Sequence, residues 1–271
     1  MSRGTRRGRE PAAPVYRRRG PIIAAALSVL PLIGLSMFAL DRLLHPNAFR
    51  VEHVRLDGEF RHLDVAELEQ AVAPLAGGNF FAMDLGRIER AAEALPWVQR
   101  ASVRRYWPWS VEITVVEHQA GARWNDDGWL NTAGDAVALP GFEDDGRLPR
   151  LHGPSGSGPK VWAHYRAFAE RIRVHDLALR ELELSPRGSW RLGVEAPVRV
   201  VDGGDQDHRV ARFDVVLGRL EVDRRLARFV QVWPDTLSAD AASIRRIDFR
   251  YPNGFALEQR DRDQVQEETG A

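Results

Sequence analysis

The densest candidate for chemistry is Gly153 to Lys160, GPSGSGPK, whose glycine content approaches that of a phosphate-binding loop. Such a loop needs Lys directly after its last Gly and a Ser or Thr behind it. The Lys reaches the outer phosphates and the hydroxyl holds a magnesium ion. Here Pro159 separates Gly158 from Lys160, Val161 replaces the hydroxyl, and no strand is predicted to lead directly in. The stretch therefore reads as a plain Gly/Pro/Ser loop. The eight His residues are scattered, and none forms an H-x-x-x-H pair that could hold zinc. Asp202, Asp205, Asp207 and His208 bring ligand atoms close together, but their spacing fits no calcium loop, and a solvated hairpin tip accounts for them. No G-x-S-x-G nucleophile elbow occurs, and Asp126-Asp127 and Asp144-Asp145 read as turn residues. The chain has no cysteine, which excludes disulfides, cysteine–zinc sites and thiol catalysis. These residues point to no enzyme and to no cofactor or metal.

The elements that would carry any function begin with an asymmetry of charge. The 271 residues hold 38 basic and 38 acidic side chains, but residues 1–20 alone contain seven Arg and one acid. The rest, with 31 basic and 37 acidic residues, is mildly acidic and a poor ligand for nucleic acid. Behind the basic tail, Pro21 to Leu40 is a run of twenty residues without a charge. At about 1.5 Å per residue a helix of this length spans the hydrocarbon core of a bilayer, and Pro31 is tolerable inside it. The run is longer than the apolar core of a signal peptide and no small-residue cleavage site follows Leu40. With Arg17, Arg18 and Arg19 on one side, the positive-inside rule predicts a cytoplasmic tail over 1–20, a transmembrane helix over 21–40, and everything beyond in the periplasm.

From Phe49 the pattern becomes that of a small α+β domain, predicted over 46–118. Val51, Val54 and Leu56 predict a strand ending at Asp57-Gly58. Asp64 and Glu67 have capping-box spacing ahead of Val65, Leu68, Val72 and Leu75, which recur at helical intervals. Pro74, Gly77 and Gly78 are expected to close that helix. Asp84 is expected to cap a second one, marked by Leu85, Ile88, Ala92 and Leu95. Two strands follow, the second with Val111, Ile113 and Val115 on one face and Ser110, Glu112 and Thr114 on the other. The order strand, helix, helix, strand, strand is that of a POTRA domain.

Three stretches now carry a resemblance: GGNFFAMDL (77–85), LPWVQRASVRRYWP (95–108) and VEITVVEHQAGARW (111–124). In this order, behind a membrane anchor, they resemble the signature segments of the bacterial cell-division family FtsQ. Farther on, LPRLHGP, Ser189-Trp190, LGR (217–219), RLARF (225–229) and DFRYPNGFAL (248–257) follow in the same family's order. Gly188 stands where the family often has a second basic residue before Ser-Trp, so a basic contact is not carried over there.

The second domain, over 119–257, is predicted as a mostly antiparallel β domain with helices. Val161, Tyr165, Phe168 and Ile172 mark one helix. Val222, Leu226, Phe229, Val230 and Trp233 mark another that Pro234 should stop. Strands are expected over Leu179–Leu184, Trp190–Val194 and Val198–Val201, with an extended hairpin over 198–219. The last ordered element should be Ile244 to Tyr251, with Ile247, Phe249 and Tyr251 on one side, and a disordered tail over 258–271.

The resemblance implies a non-catalytic scaffold of the division machinery in the inner membrane, recruited to midcell and supporting septal cell-wall synthesis. Its first domain would meet upstream proteins such as FtsK, and the far end of its second would accept a strand from FtsB, in complex with FtsL. Carried over residue by residue, the contact falls on Tyr251, Asn253 and Gly254, with Arg250 beside them and Phe249 and Ile247 along the same strand. The rival reading is a POTRA-bearing component of a protein translocation or secretion system. Members with their own pore need a β-barrel, and about 150 residues remain after 117 with no ladder of ~10-residue lipid-facing strands.

Overall fold

The computed structural model describes residues 20–45, 49–126, 128–198 and 209–260. The basic stretch over 1–19, residues 199–208, which were expected to hold an acidic hairpin tip, and residues 261–271 lie outside the described residues. The first helix, α1 (Gly20–Leu44), contains the apolar run with Pro31 inside it. Its side chains are described only from Val29 onward, and among the described residues no helix is long and apolar enough to cross a membrane.

In the first domain, local signals and structure agree closely. Asp64 accepts a hydrogen bond from the Ala66 amide at 2.8 Å and starts α2 (Val65–Ala76). Asp84 does the same for the Arg87 amide at 3.2 Å at the head of α3 (Leu85–Glu93). Each such cap satisfies one orphan amide and is worth about 1 kcal/mol. Leu68, Val72 and Ala76 from α2 and Ile88 and Ala92 from α3 are buried at four-residue intervals. They meet Val111, Ile113 and Val115, which alternate on the inner face of the sheet. That sheet contains β1 (His53–Asp57), β2 (Val98–Tyr106) and β3 (Ser110–Glu117) in the order β1-β3-β2. The central strand pairs parallel with β1 and antiparallel with β2. Pro74 does not end α2, which continues to Ala76. Proline in a last turn removes a single amide, so the turn survives it, and Gly77 closes the helix by donating to the Ala73 carbonyl at 3.2 Å.

The end of β3 is fastened by one carboxylate. Glu117 accepts from the backbone amides of Arg61, His62 and Leu63, at 2.9, 3.3 and 3.0 Å. Burial works to raise its pKa, but these amides and His62 outweigh it and hold the carboxyl below its ordinary value. A carboxyl depressed in the folded state stabilises fully above its unfolded pKa of about 4.3, and that contribution is lost as pH falls through the folded value. Glu117→Gln is therefore expected to cost about 1–3 kcal/mol at neutral pH. The gap to wild type should narrow as pH falls below the ordinary glutamate range. Thermal melts of both proteins at neutral and acid pH measure this, and a gap independent of pH would show that the carboxylate charge contributes nothing.

Only His118 and Gln119 separate β3 from β4 (Ala120–Trp124), so the two domains abut. The buried Trp97 indole donates to the Pro140 carbonyl at 3.2 Å and stacks on His62 with ring centres 4.2 Å apart. Leu139 joins the first domain's core, with Trp129, Val137 and Phe142 packed against it. The linker is pinned by buried Asn131. Its Oδ1 accepts from the Ala133 and Asp135 amides at 2.9 Å, so its Nδ2 faces His118 Nδ1 at 3.1 Å as donor. That bond requires His118 to be neutral, and burial lowers its pKa despite the opposing charge of Asp135.

The second domain is one nine-stranded sheet among the described residues. It adds β5 (Gly128–Asn131), β6 (Ala136–Val137), β7 (Arg150–His152), β8 (Ala178–Leu184), β9 (Trp190–Val198), β10 (Arg209–Gly218), β11 (Ile244–Asp248) and β12 (Ala256–Gln259). Their order is β12-β11-β10-β9-β8-β7-β4-β5-β6. The sheet is mostly antiparallel, as expected, with five of its eight pairings of that kind, but it is mixed, because the pairs β4–β7, β7–β8 and β10–β11 are parallel. The reason is the use made of the helices. Adjacent parallel strands need a crossover, and α4 (Gly158–Ile172) connects β7 to β8 while α5 (Val222–Val232) connects β10 to β11. Periodicity located both helices without revealing that they were crossovers.

Two expected boundaries also shift. The break expected between Trp190–Val194 and a strand starting at Val198 is absent, since β9 runs unbroken from Trp190 through Pro197 to Val198, with Pro197 opposite Val210, and the rest of the stretch expected to reach Val201 lies outside the described residues. The α-helix α5 does end at Val232, just ahead of Pro234, but the chain stays coiled beyond it through a π-helical turn at Trp233–Leu237 and a 3-10 turn at Ser238–Ser243. Proline at the first positions of a new turn forfeits an amide that has no partner there anyway. Finally, Ile244–Tyr251 is not the last element, because β12 pairs with β11 and carries order past Leu257, where a disordered tail was expected to begin.

Candidate partner-binding edge

The candidate site is built on β11, which lies between β10 on one side and β12 on the other. A shift of register between Ile244 and Arg246 turns Ile244 and Ile247 to the same inner face. Both are buried, as is Phe249 just beyond the strand. Phe249 packs against Phe229 of α5 and Phe255 of the returning chain, with ring centres 5.9 and 5.3 Å apart. Ile247 and Phe249 therefore belong to the core. They shape the corner from beneath and present no side chain to a partner.

On the other face Arg250 folds back onto Asp248. Its Nε lies 3.0 and 2.9 Å from the two carboxylate oxygens, and its Nη2 donates at 2.6 Å. Burial tends to raise the Asp248 pKa, but these bonds outweigh it and hold the carboxyl below its usual range. The Arg250 charge is thus committed within the chain.

Between β11 and β12 the loop over 249–255 is gripped by an arginine that spacing alone did not single out. Arg228 of α5 donates through Nη1 to the Pro252 carbonyl at 2.7 Å. Its Nη2 lies 2.9 Å from the Tyr251 carbonyl, 3.2 Å from that of Phe249 and 3.3 Å from that of Gly254. The guanidinium also lies over the Phe249 ring, 5.5 Å from its centre. One turn earlier, Arg225 donates to the Leu217 and Arg250 carbonyls at 2.6 and 3.2 Å. A planar fork can satisfy several carbonyls of one turn at once, which the point charge of Lys cannot. The only trace of this in the sequence was the segment RLARF, whose two arginines stand three residues apart on one helix face.

The clamp leaves Tyr251 55% exposed on a tied backbone, with Asn253 exposed and Gly254 half-buried beside it. Next to this corner, β12 ends the sheet. All four of its residues are exposed, and among the described residues no strand pairs with its outer side. At the opposite end β6 is only two residues long. The free edge of β2 in the first domain is already occupied. There the Ala101 and Val103 amides donate to the carboxylates of Glu93 and Glu89, at 3.1 and 3.0 Å. An edge with unmet amides is a template for a further strand, whereas one bonded to side chains is blunted. Gly188, at the β8–β9 turn, has φ +79°, so that turn calls for glycine rather than a basic side chain. Among the described residues no group of three His, Cys, Asp or Glu could hold a metal ion.

Residues 49–118 match the family described as "POTRA domain, FtsQ-type", and residues 122–250 match "Cell division protein FtsQ/DivIB, C-terminal". A cell division protein FtsQ from Xanthomonas campestris is 34% identical over 88% of this chain and 79% of its own length. The chain belongs to the FtsQ/DivIB family. The FtsQ of Burkholderia pseudomallei is 31% identical over 87% of this chain and 90% of its own length. That of Escherichia coli is 29% identical over 74% and 70%. Membership assigns the chain to cell division and to partners within the division machinery. The FtsQ/DivIB match ends at Arg250, immediately before Tyr251. The case for Tyr251 and β12 as a contact therefore rests on geometry.

Proposed function

We propose that this chain is a non-catalytic scaffold of the division machinery which holds FtsB, in complex with FtsL, by adding a strand to β12. The observation that carries this reading is the pairing of an open terminal strand with a corner already held rigid. Backbone amides along β12 provide affinity that is independent of sequence, while pockets and anchors beside the strand provide choice of partner. Tyr251 is the anchor, and Asn253 and Gly254 flank it. Because Arg228 ties the loop beforehand, little ordering entropy remains to be lost on association.

The same reading places α1 across the inner membrane, with the basic tail in the cytoplasm and both domains in the periplasm. The charge asymmetry around the twenty-residue apolar run supports that topology. Midcell recruitment through the first domain, by FtsK or a similar upstream protein, and support of septal wall synthesis complete the proposal.

Strand addition is tested by ending the chain after Phe255. This removes β12 but keeps the ring that packs on Phe249. The shortened protein, shown to be folded by circular dichroism, is expected to lose affinity for the periplasmic FtsB–FtsL complex. Full affinity in the folded, shortened protein would refute strand addition at this edge.

A further inference from the structure

One end of the first domain gathers six aromatic rings from three separate segments. Phe49 precedes β1, Phe80 and Phe81 lie between α2 and α3, and Tyr106, Trp107 and Trp109 surround the β2–β3 turn. Phe49 stacks on Trp109 at 4.9 Å and meets Phe81 edge-on at 5.7 Å, and Phe80 and Phe81 meet Trp109 at 5.7 and 6.1 Å. Burial in the domain explains only part of the group, since Phe80 is buried and Trp109 half-buried while the other four rings are exposed. Trp107 is 75% exposed, and Phe49, Phe81 and Tyr106 are exposed as well. Phe49 and Trp109 are both held at positive φ, +53° and +51°, a backbone conformation that bulky residues rarely adopt. An exposed aromatic patch maintained against backbone preference marks a contact surface.

What that surface meets follows from where the cluster is tied. Asn79, next to Phe80, donates through Nδ2 to the Leu43 and His45 carbonyls at 2.6 and 3.0 Å, at the end of α1. Its Oδ1 accepts from the Phe81 and Ala82 amides at 2.8 and 3.1 Å. The Phe80 amide donates to the Phe49 carbonyl at 2.8 Å. Arg105 holds the same loop by donating to the Phe80 and Met83 carbonyls at 2.8 and 2.7 Å. The ring-bearing segments are thus bonded to the point where α1 ends. Upstream on α1, Leu30, Leu32, Leu35 and Phe38 are all exposed, as on a lipid-facing helix.

We propose that this aromatic end is seated in the interfacial layer of the membrane from which α1 emerges, with Trp107 and Phe81 among the lipid headgroups. The inference rests on the reading that α1 crosses that membrane. Trp and Tyr rings have an apolar body and a polar edge, and they partition to the boundary between hydrocarbon and water. A first domain seated in this way is held at a fixed height and orientation, so the second domain, which abuts it, presents the β12 edge in a defined pose.

The absence of native cysteine makes the test direct. Full-length chains carrying Trp107→Cys, Leu32→Cys or Val174→Cys are spin-labelled and placed in nanodiscs of phosphatidylethanolamine and phosphatidylglycerol. Accessibility to oxygen is then compared with accessibility to a water-soluble nickel chelate. Val174, 77% exposed and in the second domain, provides the aqueous reference. The expected result is an oxygen-to-nickel ratio at position 107 several-fold above that at 174 and below that at 32. A ratio at 107 equal to that at 174, with 32 deep in the bilayer, would overturn the seating and leave the anchor intact. A label at 107 shielded from both reagents would indicate a protein contact and would also overturn it. An aqueous label at 32 would remove the anchor and this inference together.

Discussion

Phe249→Ala is expected to destabilise the second domain by about 3–5 kcal/mol, the usual cost of deleting a fully buried aromatic ring. Phe249 has no exposed surface and touches rings from α5 and from the segment leading into β12. The guanidinium of Arg228 also lies over it, so its loss leaves a void under the clamp as well as in the core. The midpoint of chemical denaturation, followed by tryptophan fluorescence, measures the effect. Phe249→Leu, which refills much of the volume, should recover most of the loss. If Phe249→Ala kept wild-type stability and lost only partner binding, Phe249 would belong to the interface and the packing described above would be mistaken.

Tyr251→Ala is expected to do the opposite, leaving the fold intact and weakening association with FtsB–FtsL by about 2 kcal/mol or more, roughly thirty-fold in Kd. Tyrosine suits this position because it has only two side-chain torsions to immobilise and offers both an apolar face and a hydroxyl. Its backbone is already tied through its own carbonyl to Arg228. As an exposed residue, it should change stability by no more than about 0.5 kcal/mol. Titration calorimetry of the folded variant decides the matter. Unchanged affinity removes Tyr251 from the site, and a comparable loss in Tyr251→Phe would assign the effect to the hydroxyl.

The two outcomes separate residues that stand two positions apart and that the sequence groups together. Ile247, Phe249 and Tyr251 share a side by alternation, and the resemblance pointed to all three. Alternation reports which residues face the same way without reporting what they face. Ile247 and Phe249 look into a core completed by α5, while Tyr251 lies past the end of β11, on a loop that has left the sheet. Arg228 escaped notice for a related reason. Its value depends on four carbonyls more than twenty residues away, and no local pattern encodes that meeting.

The sequence by itself determined those features whose cause is local. These are the capped helices α2 and α3, the alternation of β3, the strand–helix–helix–strand–strand order, the motifs of the FtsQ/DivIB family, and the charge-flanked apolar run within α1. Each follows from propensity, capping or periodicity within a dozen or so residues, where spacing alone sets which side chains share a face. Tertiary structure alone decided the parallel insertion of β7, the use of α4 and α5 as crossovers, the existence of β12 and the grip of Arg228 on the 249–255 loop. A strand as short as Ala256–Gln259 has no pattern strong enough to announce itself. It exists because β11 offers it a row of amides and carbonyls, and that offer exists only once the chain has folded.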